Sequence, residues 1–203
     1  MSSFPETPAA TAVSSVASRF YSTALLNHCV RSYLWGTLYA AAHEIAFDDE
    51  LLYVSTMLHD IALTDAFDSL RVPFEEAGGE LAWVFGTAAG WPGDRAARAR
   101  EIIVQHIRDD VSSTADPESH IIQVATGWDV AGLRPEEFPA EARAEVLAQY
   151  PRQGFGSEFL RCFQEQARRK PASAAAALMA KRGAGVFRGQ SPRRLAKLVS
   201  RGG

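Results

Sequence analysis

The 203-residue chain lacks the features that define several protein classes. Its two cysteines, Cys29 and Cys162, are far apart, so a disulfide framework and a CxxC zinc or redox motif are excluded. No uncharged run approaches the roughly 18 apolar residues of a membrane span. The N-terminal segment has neither the positive charge nor the apolar centre of a signal peptide. We therefore expect a cytoplasmic protein without membrane contacts.

What the chain does have is an ordinary globular composition, with 47% hydrophobic and 22% charged residues. This is enough for one domain with a sizeable core. Residues 1–180 carry 14 basic and 24 acidic side chains, whereas residues 181–203 carry seven basic and no acidic ones. These differences in composition and charge along the chain predict an N-terminal lead-in over 1–20, a helical domain over 21–180 and a basic tail over 181–203.

The basic tail has two interpretations. Clustered Lys and Arg could contact nucleic acid or an acidic membrane face. They could also fold back on the acidic body as a solvated appendage. We favour the appendage and expect no nucleic-acid partner, while a homo-oligomer stays open.

Apolar residues recur at helical spacing along most of the chain, and no window alternates as a strand does. Ser, Thr, Asp and Asp-Pro stand where several helices would begin. The pattern predicts an all-α, single-domain fold. Its helices are expected at about 23–45, 50–61, 74–85, 95–108, 117–130, 139–149, 156–169 and 172–182. The lead-in, rich in Ser, Thr, Ala and Pro, is expected to form a short loop or a helical turn.

The pair His59-Asp60 lies at the end of the most apolar predicted helix, after an apolar run. Burying an imidazole and a carboxylate there costs free energy unless they pair with each other or bind a metal. A His-Asp dipeptide alone is weak evidence for a metal, because buried polar groups usually find hydrogen-bond partners within the protein. The pair therefore needs support from other helices.

That support comes from polar residues in apolar surroundings on neighbouring helices. His28, His106 and Asp129 each lie among buried-type residues. Two imidazoles and two carboxylates from three helices form a sufficient ligand set for a divalent transition metal, with a position left for water.

The order His…His-Asp…Asp on successive helices resembles the pattern of the HD-domain superfamily. Further segments are similar to the cyanamide hydratase-like branch of HD proteins, over about residues 20–135. They read NHCVRSYLW, ELLYVSTMLHDIALTD, FEEAGGELA, IIVQHIRDD and PESHIIQVATGWDVAGL. The resemblance implies an HD-type helical bundle with one divalent metal held by His28, His59, Asp60 and Asp129. It implies zinc, although iron and manganese also suit these donors.

The resemblance also implies a hydrolase or lyase that adds metal-activated water to a small electrophilic carbon, such as the nitrile carbon of cyanamide. A divalent cation lowers the pKa of bound water from about 16 to about 7. We expect Asp60 and His106 to act in catalysis, with His106 moving a proton because imidazole titrates near neutrality. His106 could instead ligate a second metal, as in binuclear HD proteins.

Around this centre we expect a small-molecule substrate to be contacted by Arg31, Trp35, Phe74 and Trp128. Core packing is the competing interpretation for each aromatic residue, and a salt bridge is the competing one for the arginine. His43 and His120 are not expected to take part in the chemistry. The resemblance of the FEEAGGELA segment to the cyanamide hydratase-like branch makes Glu75 a candidate for supporting the site.

Two other functions stay open. Many HD phosphohydrolases read HDIGK, but here Ala62 and Leu63 follow the HDI sequence, so the usual phosphate-binding lysine is missing. Arg31, Arg71 or Arg108 could still bind a phosphate, which leaves hydrolysis of a nucleotide or phosphomonoester as the alternative. A non-catalytic, ligand-binding HD module is the third candidate.

Overall fold

The computed structural model describes residues 4–108 and 110–182, and within these ranges the chain is all-α, as predicted. The described residues form nine α-helices and no strand. They are α1 (Pro8–Phe20), α2 (Thr23–Ala42), α3 (Asp49–Leu58), α4 (Phe74–Ala88), α5 (Gly93–Gln105), α6 (Pro117–Ala131), α7 (Ala140–Gln149), α8 (Phe155–Arg169) and α9 (Ala174–Arg182). None of them is both long and apolar enough to cross a bilayer. Apart from residues 181 and 182, the predicted basic tail lies outside the described residues.

Local capping explains where several helices begin. The side chains of Ser22, Asp48 and Asp116 each accept a hydrogen bond from the backbone N–H three residues later, at the starts of α2, α3 and α6. Such caps satisfy amide groups that have no partner inside the helix. Helix α6 ends at Gly132, whose φ of 66° is the left-handed conformation that glycine adopts readily.

The lead-in differs from the expected loop or helical turn. It forms the 13-residue helix α1, capped by Thr7, with Pro8 in its first turn. Its buried side chains are mostly alanines, which present a weak apolar pattern but pack closely against α3. Small residues can line a helix interface without the large apolar side chains that a sequence pattern detects.

Helix α3 lies at the centre of the core, and every residue from Leu51 to Leu58 is buried. It contacts α1, α2, α4, α5 and α6. Helix α2 packs very closely against α6 at Gly36. A Cβ atom at this position would come within 2.8 Å of Ile121 Cγ2, so the approach requires glycine. Polar side chains that α2, α3 and α6 direct into this core are therefore kept away from water.

Two predicted helices end earlier than expected, at positions that matter for the site. Helix α3 stops at Leu58, and His59 and Asp60 form the turn before a short 3-10 helix, Ile61–Leu63. Helix α5 stops at Gln105, so His106 follows its last residue. Two histidines that we expected within helices therefore lie at helix ends, where backbone carbonyls have no helical partner.

Candidate metal centre

Three of the predicted metal ligands converge in the core. His28 is in the second turn of α2, and His59 and Asp60 follow α3; their exposed fractions are 0%, 1% and 0%. His28 Nε2 lies 3.2 Å from His59 Nε2 and 3.4 Å from Asp60 Oδ2, and His59 Nε2 lies 3.2 Å from the same oxygen. The three atoms thus form a nearly equilateral triangle.

The size of this triangle fits a small tetrahedral cation. Bonds of about 2.0–2.1 Å to zinc place neighbouring donor atoms about 3.3–3.4 Å apart in a tetrahedron. The observed separations match that spacing to within about 0.2 Å. Three side chains would leave the fourth position open for water or substrate.

Proton positions make the triangle an acceptor cluster. Nδ1 of His28 faces a carboxylate oxygen of Asp129, and Nδ1 of His59 faces the carbonyl oxygen of Thr56, both at 2.7 Å. Because these oxygens can only accept, each Nδ1 carries a proton, and in the neutral rings each Nε2 presents a lone pair.

Asp60 completes this cluster without bringing a donor. Both of its carboxylate oxygens are buried, and neither has a hydrogen-bond partner among the described residues. Buried polar atoms are rarely left in this condition. Three mutually facing acceptors require either an extra proton or a cation between them, so the residues present fit a divalent metal.

The pKa values of Asp60 and His59 agree with the need for a proton or a cation between them. Burial raises the pKa of Asp60, but the His59 and His28 imidazoles lower it more, and the net pKa lies well below the usual range. Burial lowers the pKa of His59, whereas the Asp60 carboxylate raises it, and the net pKa lies well above its usual value. Without a metal, a proton on His59 therefore takes the place of the cation.

His106 lies at the edge of the cluster. Its ring meets the His59 ring edge to face, with centroids 5.0 Å apart, and its Nδ1 donates to the carbonyl of Ile103. Burial, followed by the charge on His59, lowers the pKa of His106 to about 4. At neutral pH the ring is neutral and Nε2 is the free acceptor.

Asp129, predicted as the fourth ligand, lies on the opposite side of the His28 ring. Its Oδ2 is 2.7 Å from His28 Nδ1 and 2.7 Å from Arg31 Nη2, and its Oδ1 accepts from Arg31 Nε and Trp35 Nε1. Burial raises the pKa of Asp129, but the Arg31 guanidinium holds it well below the usual range. The structure does not bring Asp129 into the acceptor cluster.

A cavity of about 90 Å³ opens onto His28, His59, Asp60 and His106. This volume is far below the roughly 300–1,000 Å³ of pockets for drug-sized ligands. The cavity therefore suits a molecule of a few non-hydrogen atoms.

Most of the remaining cavity wall is apolar. Phe159 and Phe163 of α8, Leu178 of α9 and Val130 of α6 face the opening. Gln123, Thr126 and the exposed Arg108 add polar groups. Among the described lining residues, Arg108 is the one permanent cation.

The four residues predicted to bind substrate lie behind the site instead of on the cavity wall. Arg31 and Trp35 hold Asp129, Phe74 packs on the His106 ring at 5.8 Å, and Trp128 packs against Trp35. The reason is geometric, since these side chains point from their helices into the core around the ligands.

The wall residues Thr126, Phe159 and Phe163 were missed by sequence reasoning. The one signal for the two phenylalanines was the apolar face of α8, where Phe155, Phe159 and Phe163 recur every four residues. That spacing predicts a buried helix face but does not say what it covers. Glu75 is buried at the start of α4, and burial raises its pKa; it does not line the cavity.

The two remaining histidines lie apart from the cluster. His43 follows α2 at the surface and pairs with Glu137 at 2.7 Å. His120 lies between the Val111 carbonyl and the Tyr39 hydroxyl. Neither histidine lines the cavity beside the cluster.

Comparison with known proteins finds two similar enzymes. No protein-family model matches the chain. The cyanamide hydratases DDI2 and DDI3 of Saccharomyces cerevisiae are each 29% identical to it over 174 residues, which cover 82% of this chain and 76% of theirs. The chain is a distant homologue of these two cyanamide hydratases, which confirms the resemblance found in its motifs.

Proposed function

We propose that the protein is a zinc-dependent hydratase that adds water to the nitrile carbon of cyanamide or a similarly small nitrile. The observation that carries the proposal is the buried triangle of His28 Nε2, His59 Nε2 and Asp60 Oδ2, which contains acceptors and no donor. When bound there, a divalent cation would lower the pKa of water to about 7 and supply hydroxide at neutral pH.

Two imidazoles and one carboxylate also suit iron and manganese, so the donor set alone does not select zinc. The spacing of the three ligand atoms is close to that of a tetrahedral site, and this favours zinc, which proteins usually bind with four ligands in a tetrahedron. Homology to the cyanamide hydratases supports the reaction class but, at 29% identity, not the substrate.

His106 is the proposed proton carrier. Its Nδ1–H is fixed on the Ile103 carbonyl, so only Nε2 can exchange a proton with molecules in the cavity. Hydration of cyanamide to urea joins a water oxygen to the nitrile carbon and moves both water protons to nitrogen. A neutral His106 can take one proton from the water as the C–O bond forms and give it to the nitrile nitrogen as one C≡N π bond opens. The same relay carries the second proton from the oxygen of the resulting isourea to that nitrogen, which gives urea and leaves His106 unchanged.

Asp60 is proposed to have a second task besides metal binding. Its Oδ2 faces the two imidazoles, whereas Oδ1 has no donor among the described residues. Oδ1 can therefore accept a hydrogen bond from the attacking water. This hydrogen bond would turn a lone pair of the water oxygen toward the substrate carbon. Such positioning by a buried acceptor contributes through orientation.

The cavity favours a small neutral substrate over a phosphate ester. Arg31, one of the three arginines considered for phosphate binding, is buried on Asp129. Arg108 is left as the one cation on the described wall, and it is exposed. A cavity of about 90 Å³ has room for the three non-hydrogen atoms of cyanamide, whereas a nucleotide would have to extend beyond it.

The proposal is tested by urea production from cyanamide with zinc-loaded protein. We expect turnover by the wild type, its loss in His59→Ala, and full retention in the matched histidine control His43→Ala. Aliphatic nitriles and a panel of phosphomonoesters are assayed in parallel. Zinc-loaded protein that releases phosphate but forms no urea would replace this function with phosphohydrolysis, and turnover of neither class would favour a binding module.

A further inference from the structure

The buried carboxylate of Asp129 is next to a proposed metal ligand but has all of its acceptor positions in use. A carboxylate offers about four lone-pair positions. Four N–H groups lie on those of Asp129, two from Arg31, one from Trp35 and one from His28, at 2.7–3.0 Å. The guanidinium of Arg152, a second cation beside that of Arg31, lies 3.6 Å from Oδ1. No position on either oxygen is left for a metal bond.

We propose that Asp129 is a positioning residue that fixes the proton of His28 on Nδ1, so that Nε2 presents its lone pair to the metal. This inference rests on the proposed metal-dependent function. It replaces the role of Asp129 as a ligand, which the resemblance to HD proteins implied. The juxtaposition that carries it is His28 Nδ1 at 2.7 Å from Asp129 Oδ2, with Arg31 holding the carboxylate from behind.

The locations of the three imidazoles explain why only His28 needs a carboxylate. His59 and His106 follow the ends of α3 and α5, and each Nδ1 faces the carbonyl three residues before it. Carbonyls in the last turn of a helix have no helical partner, so they are available to a side chain.

His28, in contrast, lies in the second turn of the 20-residue helix α2, where the carbonyls before it are used by the helix. An acceptor for its Nδ1–H must come from another element, and Asp129 of α6 supplies it. The short distance between α2 and α6 at Gly36 brings the two helices close enough.

Arg31 fixes the carboxylate in this orientation. It binds Asp129 through Nε and Nη2, while its Nη1 donates to the Tyr150 carbonyl at 3.1 Å. Arg152 donates to the backbone carbonyl of Asp129. The α7–α8 connection is thus joined to the residue that orients His28.

The inference predicts a distinct effect on metal binding. Residues that orient a metal ligand typically change metal affinity by about 10- to 100-fold when replaced, while the ligand set stays the same. Asp129→Asn should therefore bind zinc about 10- to 100-fold more weakly but still reach one equivalent at saturation. Trp35→Phe, the matched control, removes one donor from Oδ1 and leaves the His28 contact, so its loss of affinity should be smaller.

The experiment measures zinc affinity by chelator competition and records the visible absorption of the cobalt-substituted proteins, which reports coordination number. We expect the cobalt spectrum of Asp129→Asn to match that of the wild type. A spectrum showing one ligand fewer in Asp129→Asn would overturn the inference.

Nitrogen-15 NMR of the zinc-loaded wild type keeps the test decisive if Asp129→Asn fails to fold. The inference requires a hydrogen-bonded proton on Nδ1 of His28 and a metal-bound Nε2; an unprotonated Nδ1 contradicts it. The proposed function fails differently. Wild-type protein that binds zinc as described but forms no urea contradicts the reaction and leaves the role of Asp129 standing.

Discussion

Two buried polar clusters share the His28 ring and differ in one respect. The inner cluster consists of His28 Nε2, His59 and Asp60, and the outer cluster consists of His28 Nδ1, Asp129, Arg31 and Trp35. In the outer cluster every carboxylate oxygen faces donors. In the inner cluster the carboxylate has no hydrogen-bond donor among the described residues as long as the two facing imidazoles are neutral.

The difference separates a structural network from a binding site. Buried charges persist when partners of opposite sign and hydrogen bonds offset their desolvation, as Arg31 does for Asp129. The inner cluster lacks such a partner within the chain and must take a proton or a cation from solution. The outer cluster should therefore control stability, and the inner cluster should control metal binding.

The largest expected effect on stability comes from the outer cluster. Arg31→Met removes the cation from a fully buried carboxylate, and breaking such a pair typically costs about 3–5 kcal/mol. We expect a fall of that size in the free energy of unfolding, measured by urea titration of metal-free protein. The double variant Arg31→Met/Asp129→Leu should recover part of the loss. An equal or larger loss in Asp60→Asn would contradict the distinction between the clusters.

The next effect concerns acid stability at the edge of the inner cluster. The pKa of His106 is about 4 in the folded protein and about 6.5 when unfolded. The unfolded state therefore binds more protons between these values, so this contribution is complete above about pH 6.5 and is lost as pH falls toward 4. It is on the order of 3 kcal/mol. Urea titrations at pH 7 and 4.5 should show a smaller acid loss in His106→Phe than in the wild type.

A third effect concerns the pH dependence of zinc binding. In metal-free protein the pKa of His59 lies well above its usual value, so zinc must displace its proton. Affinity should rise by up to about tenfold per pH unit while that proton is present. The rise should continue above pH 6.5, where an ordinary imidazole is already neutral. Zinc affinity that is flat from pH 6.5 to 8, after correction for the chelator, would contradict the contact between His59 and Asp60.

The smallest effect is expected from an exposed ion pair on α8. Arg168 and Glu165 lie 2.8 Å apart at the surface, where solvent screens their attraction. Arg168→Ala should leave both the unfolding midpoint and the zinc affinity unchanged within error. A clear loss would show that charge pairing alone, without burial, matters in this fold.

The helices could be predicted from the sequence because their signals are local. Caps such as Ser22, Asp48 and Asp116 and the apolar spacing of α2 and α3 act within a few residues. Helix α1 could not be predicted, because its buried face is mostly alanine and gains its stability from contact with a distant helix.

The inner cluster could also be predicted, since a polar pair after an apolar helix requires a partner. The position of Asp129 could not. Its residue type and spacing suit a metal ligand, and its contact with His28 Nδ1 depends on the packing of α2 against α6, which lies beyond local sequence signals. The cavity wall could not be predicted either, because periodicity identifies the buried face of α8 without identifying what that face covers.

Elemental analysis of the purified protein, before and after zinc reconstitution, tests the central claim most directly. We predict one equivalent of divalent metal per chain in the wild type and in His43→Ala. In His59→Ala and Asp60→Ala we predict almost none, with helical circular dichroism retained. Wild-type protein that keeps its fold but takes up no zinc, iron or manganese would contradict the account.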